Sequence, residues 1–112
     1  MATIPLNSFK TTTYNLTNVN EIIYVAPAGV TTVVLLAQVA NNDPANTIYA
    51  SASLVRNSNT TTIIKNTPIP INDAVSLLSG KLIIQAGDSL YAKSSANGNS
   101  QLILSYLETA NQ

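Results

Sequence analysis

Ten side chains in this 112-residue chain carry charge: Lys10, Glu21, Asp43, Arg56, Lys65, Asp73, Lys81, Asp88, Lys93 and Glu108. Each kind of chemistry they could perform makes a demand on their spacing. Nucleophilic catalysis needs a Ser, Cys or Thr beside a base. There is no histidine and no cysteine, so only a Ser–Lys pairing is open, and none of the four lysines falls in a motif of that kind. Glycoside hydrolysis needs two carboxylates facing each other across a cleft. The five acids are scattered, and Asp43, Asp73 and Asp88 lie in turn contexts, where Asp ordinarily caps its own backbone. "NNDPAN" at Asn41 to Asn46 clusters oxygen ligands of the type calcium prefers, without the spacing of a calcium loop, and turn chemistry explains the same residues. There is no glycine-rich phosphate loop. The expectation is a protein that is not an enzyme and has no cofactor and no metal site.

Nucleic-acid binding would call for a basic patch interleaved with aromatics, whereas five basic residues here balance five acidic ones and are dispersed. Sugar binding stays open, because Tyr and Asn can stack on and hydrogen-bond a glycan. "NLT" at Asn15 and "NTT" at Asn59 match the glycosylation pattern but follow no secretory signal. No stretch approaches the ~20 apolar residues that span a bilayer. The expected partners therefore include no nucleic acid and no membrane.

Turn residues punctuate the chain at short intervals, and these breaks define the elements that would position any site. "APAG" reads as a type I turn with Pro27 second and Gly29 fourth. "RNSN" reads as a hairpin tip, the two prolines of "TPIPIND" as extended loop, and Asn97–Gly98 as a type I′ hairpin. Between these breaks, runs rich in Val, Ile, Thr, Tyr and Leu predict strands at 11–17, 21–25, 31–40, 47–55, 60–66, 75–78, 81–85, 89–95 and 101–108. Eight or nine short strands predict a single antiparallel β-sandwich of jelly-roll type. Residues 1–19 are expected to form an N-terminal arm and first edge strand, and residues 20–112 the sandwich.

One strand stands out. "VTTVVLLAQVAN", Val30 to Asn41, does not alternate apolar with polar. Strict alternation puts Val33, Leu35, Ala37 and Val39 on the core side and Val34, Leu36, Gln38 and Ala40 on the other, which is nearly as apolar. Such a strand is usually covered on both faces, either by a loop of the same chain such as "TPIPIN" or by another subunit. Charged residues make up 9% of the chain, against about 25% in a typical soluble domain, and this favours the subunit. Val34, Leu36, Gln38 and Tyr49 are the expected interface residues.

"YVAPAGVTTVVLLAQVAN", "IIKNTPIPINDAVSLLSGKLIIQAGDSLYAKSSA" and "LILSYLET" together resemble small virion structural proteins of tailed bacteriophages, notably of cyanophages. The shared plan is a Pro-x-Gly turn at Pro27–Gly29, a Pro-x-Pro loop at Pro68–Pro70, a Gly80–Lys81 strand start, a Gly87–Asp88 turn and a last strand ending at Tyr106–Glu108. The resemblance covers residues 20–109 and implies a β-sandwich that decorates a particle. The role it implies is a capsid decoration or cement protein, or alternatively a tail, baseplate or fibre component with a receptor- or glycan-contacting face. Its implied partners are the major capsid protein or tail and fibre proteins of the same particle, with self-association as a trimer or dimer. Its implied location is the virion, with the host cytoplasm during assembly.

Overall fold

A computed structural model describes residues 7–110. Nine strands form two antiparallel sheets: β1 (Asn7–Asn15), β2 (Glu21–Val25), β3 (Val30–Asn41), β4 (Ile48–Arg56), β5 (Asn59–Ile69), β6 (Ala74–Ser76), β7 (Leu82–Ile84), β8 (Ser89–Ser94) and β9 (Ser100–Ala110). The five-stranded sheet runs β1-β9-β3-β6, with β7 also paired to β3, and the four-stranded sheet runs β2-β8-β4-β5. The expected all-β sandwich is thus the fold observed, and each expected strand has its counterpart. The first six residues of the expected arm lie outside the described residues. From Asn7 to Asn15 that segment is β1, the edge of the five-stranded sheet, and residues 16–19 lead on toward β2.

The core is built from the inward set of each strand. Val34, Val39, Ile48, Ile69, Ile84, Leu90, Leu102 and Leu104 are enclosed, and Ala37, Ala50, Ala52 and Ala92 fill the gaps between them. Alternating large and small side chains lets two inner faces interdigitate without voids. At one end of the sandwich the buried Asn41 side-chain amide donates to the carbonyls of Asn46, Ile69 and Pro70, and its backbone N–H donates to Asp73. One amide thereby ties the end of β5 to the loops at Asn46 and Pro70, and the Ile69 bond is made in the buried interior, where an amide left without a partner would cost about 1–3 kcal/mol.

Several turns differ from expectation. The first tight turn runs from Pro27 to Val30, closed by the Val30 N–H donating to the Pro27 carbonyl at 3.2 Å. Gly29 is its third residue at φ 75°, which is the glycine position of a type II turn rather than the end of a type I turn. Arg56 pairs with Asn59, and the intervening Asn57 and Ser58 have φ 51° and 66°, the two positive angles of a type I′ hairpin tip. Asn97–Gly98 makes no hairpin. Strands β8 and β9 belong to different sheets, so this loop is a crossing between layers. "TPI" is not loop: β5 continues through Pro68, which pairs with Tyr49. Because β5 is an edge strand, a missing N–H can face the open side without costing a ladder bond.

Candidate assembly interface

In an antiparallel sheet, residues directly opposite each other share a face, so register and burial together define the outer surface. In β9 the buried residues are Ser100, Leu102, Leu104 and Tyr106. Their neighbours Gln101, Ile103, Ser105, Leu107 and Thr109 point away from the core. Leu107 lies opposite Phe9 of β1 and Val33 of β3, and Val33 lies opposite Ile83 of β7. Phe9, Leu107, Val33 and Ile83 therefore form one apolar row across four strands. Phe9 is 74% exposed and Ile83 57%. Ile103, Leu35 and Leu36 extend the patch along the strands, each more than a third exposed. Around them lie Thr11, Thr13, Ser105 and Gln38. None of the ten charged residues occupies an outward strand position of this sheet: Lys10 and Glu108 sit opposite the buried Tyr106 and Thr32 and so face the other way, and Lys81 precedes β7 at its rim.

This geometry corrects the expected faces of β3. The ladder with β9 shifts register between Val34 and Leu36: Leu35 is an extra residue, a β-bulge, and a bulge changes which side chains point inward. Before it Thr32 and Val34 face the core, and after it Ala37, Val39 and Asn41 do. Val34 is fully enclosed, so it is a core residue and not an interface residue. Val33 and Leu35, expected in the core, lie on the outside. Leu36 and Gln38 are exposed on the five-stranded sheet, with Gln38 opposite Ile103. Tyr49 is exposed too, but on the outer face of the other sheet, so the four expected interface residues do not converge.

Four residues of the apolar patch, Phe9, Ile83, Ile103 and Leu107, went unrecognised from sequence. For β9 the signal was present: the alternation of "LILSYLET" gives Leu102, Leu104 and Tyr106 one face and Ile103 and Leu107 the other. Phe9 lay in the segment read as an arm, and nothing in "KLII" alone fixed which isoleucine faced out.

The outer face of the four-stranded sheet has a different character. It presents Tyr49, Ser51, Ser53, Tyr91, Lys93 and Thr62. Near one end, a hollow of about 290 Å³ is lined by Asn18, Tyr49, Ser51, Asn66, Lys93 and Ser95. Tyr49 is held there by reciprocal bonds with Ser95: its N–H donates to the Ser95 hydroxyl at 2.9 Å, and its carbonyl accepts from the Ser95 N–H at 2.7 Å.

Most of the remaining chemistry-bearing side chains are engaged locally. Asp43 accepts from the Ala45 and Asn46 amides, and these bonds, the Ala45 one foremost, lower its pKa. The Asp88 carboxylate takes the Arg56 guanidinium at 2.6–3.0 Å and the Gln85 N–H at 2.9 Å, and the Arg56 bonds hold it below the usual carboxylate range. Glu108 lies between the layers. Lys10 of β1 reaches it at 2.7 Å, and the Tyr24 hydroxyl of the opposite sheet donates to it at 2.5 Å. A Tyr24–Thr32 hydroxyl bond of 2.7 Å completes the clasp, and the Tyr24 and Tyr106 rings pack 4.6 Å apart beside it. Burial pushes the Glu108 carboxyl up, but Lys10 and Tyr24 together outweigh burial and leave it below its ordinary value. Burial, reinforced by Glu108, raises the Tyr24 hydroxyl far out of the titrating range. An ammonium, a carboxylate and a phenol satisfied in this way link β1, β9 and β2, which is a structural role.

No protein-family model and no curated protein matches the chain. Among solved structures, it is similar over its whole length to a subunit from Bacillus endospore appendages described as a novel family of disulfide-linked pili. The TM-score is 0.57 at 5% identity, covering 98% of that chain. Two structures of a pentameric capsid protein from metagenomic phage sequences align with 89% of this chain and 60–61% of theirs, at TM-score 0.44 and 20% identity. The first likeness shows a shared fold.

Proposed function

We propose that this chain is a structural subunit of a bacteriophage virion, acting as a capsid decoration or cement protein through the outer face of its five-stranded sheet. The observation that carries this reading is the uncharged surface around the Phe9–Leu107–Val33–Ile83 row. With strands about 4.8 Å apart and a rise of about 3.3 Å per residue, four strands of about nine residues span roughly 570 Å² in projection. Side-chain relief brings that close to the roughly 800 Å² per partner of a standard protein interface. Contiguous exposed apolar residues on a small protein tend to mark contact surfaces, and an uncharged face strands no ion when it is covered. The phage-virion resemblance of residues 20–109 and the strand order of the two sheets, which we read as a jelly roll, support the same conclusion. Endospore appendages sharing this fold are described as disulfide-linked pili. The 112 residues contain no cysteine, so these residues form no disulfide in an assembly.

A second reading, a tail, baseplate or fibre component that touches a glycan, is favoured by one observation: the polar hollow around Tyr49, where an exposed ring lies beside amide, hydroxyl and ammonium groups. Electron microscopy of purified particles, with the chain located by labelling, separates the two. Copies spread across the shell are the expected result. Copies confined to the tail establish the second reading, and absence from every particle overturns both.

A further inference from the structure

Sheet edges expose rows of unpaired N–H and C=O groups, and proteins ordinarily blunt them with short strands, bulges, prolines or projecting charges. Among the described strands, four of the five edges follow that rule. Strand β2 has five residues and a register shift between Ile22 and Tyr24. Strand β5 has two shifts and Pro68, and β6 and β7 have three residues each. Strand β1 is different. It runs nine residues from Asn7 to Asn15 in unbroken register with β9, without proline, glycine or bulge, around three consecutive threonines. Its one charge, Lys10, would be the natural guard, but that ammonium is held at 2.7 Å by Glu108 of β9 and points back over its own sheet.

We propose that β1 is a self-pairing edge: two copies join β1 to β1 antiparallel about a twofold axis at Thr11, merging two five-stranded sheets into one of ten strands. This proposal rests on the edge and does not depend on the reading of the outer face. A second copy of β1 offers a partner of the same length that is equally unguarded, and three constraints fix the register. A twofold axis perpendicular to the sheet must bring outward residues opposite outward residues, since the reverse would run the core of one copy into the surface of the other. Of the registers left, an axis at Lys10 would oppose two ammonium groups, and an axis at Thr12 would leave Asn7 and Ser8 without opposites. The axis at Thr11 pairs all nine residues: Asn7 with Asn15, Ser8 with Tyr14, Phe9 with Thr13 and Lys10 with Thr12. No like charges meet. The two apolar rows then lie on one continuous face, doubling the surface available to whatever the sheet covers.

The test is sedimentation equilibrium on the full chain with charge swaps at Thr11, an exposed position on the outer face. The wild-type chain is expected to dimerise. Thr11→Lys and Thr11→Glu each set two like charges opposite each other at the axis and should weaken the dimer about fivefold or more. An equimolar mixture of the two variants should restore it, because opposite charges then meet. Ile83→Asp, far from the edge, should leave dimerisation unchanged. Hydrogen exchange on the wild-type chain gives a readout independent of any variant's folding: β1 amides should gain protection as concentration rises, while β2 amides should not. A wild-type chain that remains a single subunit, Thr11 variants that dimerise normally, or a mixture that fails to recover each overturns the proposal. Loss of the dimer in Ile83→Asp with no effect at Thr11 also overturns it, while leaving the outer-face reading standing.

Discussion

The two outer faces of this sandwich come from the same composition and the same alternation, yet they are made for different surroundings. The outside of the four-stranded sheet is mainly serine, threonine, tyrosine and lysine, with Ile22 and Val25 exposed only along its edge strand β2, a largely water-facing β surface. The outside of the five-stranded sheet has no charge and carries an apolar row from edge to edge. Both sheets are served by the one core, so folding alone does not require the second face to be apolar. The asymmetry points to a demand made after folding, by something that covers that sheet.

The sharpest way to break this comparison is to cross from the inside of one strand to its outside. Leu104 is fully buried, whereas Ile103 is 43% exposed. Leu104→Ala should cost about 3 kcal/mol of stability through lost burial and a residual cavity, whereas Ile103→Ala should stay within about 0.5 kcal/mol. Urea unfolding of the two variants checks this, and equal losses would mean that the outer patch is needed for folding. The next contrast lies between the faces themselves. If the proposed virion role holds, Leu36→Asp should weaken attachment to the particle by roughly tenfold or more, since it removes apolar contact worth about 1.5 kcal/mol and buries an unpaired carboxylate. The same change at Tyr49 should leave attachment unaltered. Both variants should unfold as the wild type does, and a binding assay on stripped particles reads the difference.

A smaller effect tests the clasp that ties the sheets together behind those faces. Glu108 is held below its ordinary value of 4.5, so it binds protons less readily folded than unfolded. Its stabilising contribution is present above that value and fades as pH falls through the lower folded-state value. Stability should therefore decline on acidification below about pH 4.5, and Glu108→Gln should flatten part of that decline. Asp88, lowered by Arg56, and Asp43, lowered by the Ala45 and Asn46 amides, act in the same direction. A titration of the thermal midpoint that is identical in wild type and Glu108→Gln would show that the clasp does not distinguish the two states.

Much of this architecture was legible in the sequence, because strands and turns are written in local residue types. The nine strands, the Arg56–Asn59 hairpin and the turn chemistry of "NNDPAN" follow from β-branched runs and from Asn, Asp, Gly and Pro placement. The faces were harder to read. Period-two alternation predicts a face only while the ladder stays in register, and one extra residue at Leu35 exchanged the roles of Val33 and Val34. Nothing in an unbroken apolar run marks such an insertion, which shows itself only against the partner strand. The Asn97–Gly98 turn misled for a related reason: local chemistry specified a turn but not whether the chain returns within its own sheet or passes to the other. The extra apolar residues of the patch came from three strands distant in sequence, β1, β7 and β9, and only pairing brings them together.

Asn41 closes the far end of the molecule with one amide, and its placement decides where force goes. It is the last residue of β3, the strand paired to β9 on one side and to β6 and β7 on the other, yet it grips carbonyls at the end of β5 and in two loops. Pulling the end of β5 or either loop away from the sandwich must first break bonds to one amide rooted in the middle of the five-stranded sheet, so the three segments resist that load together until the amide lets go.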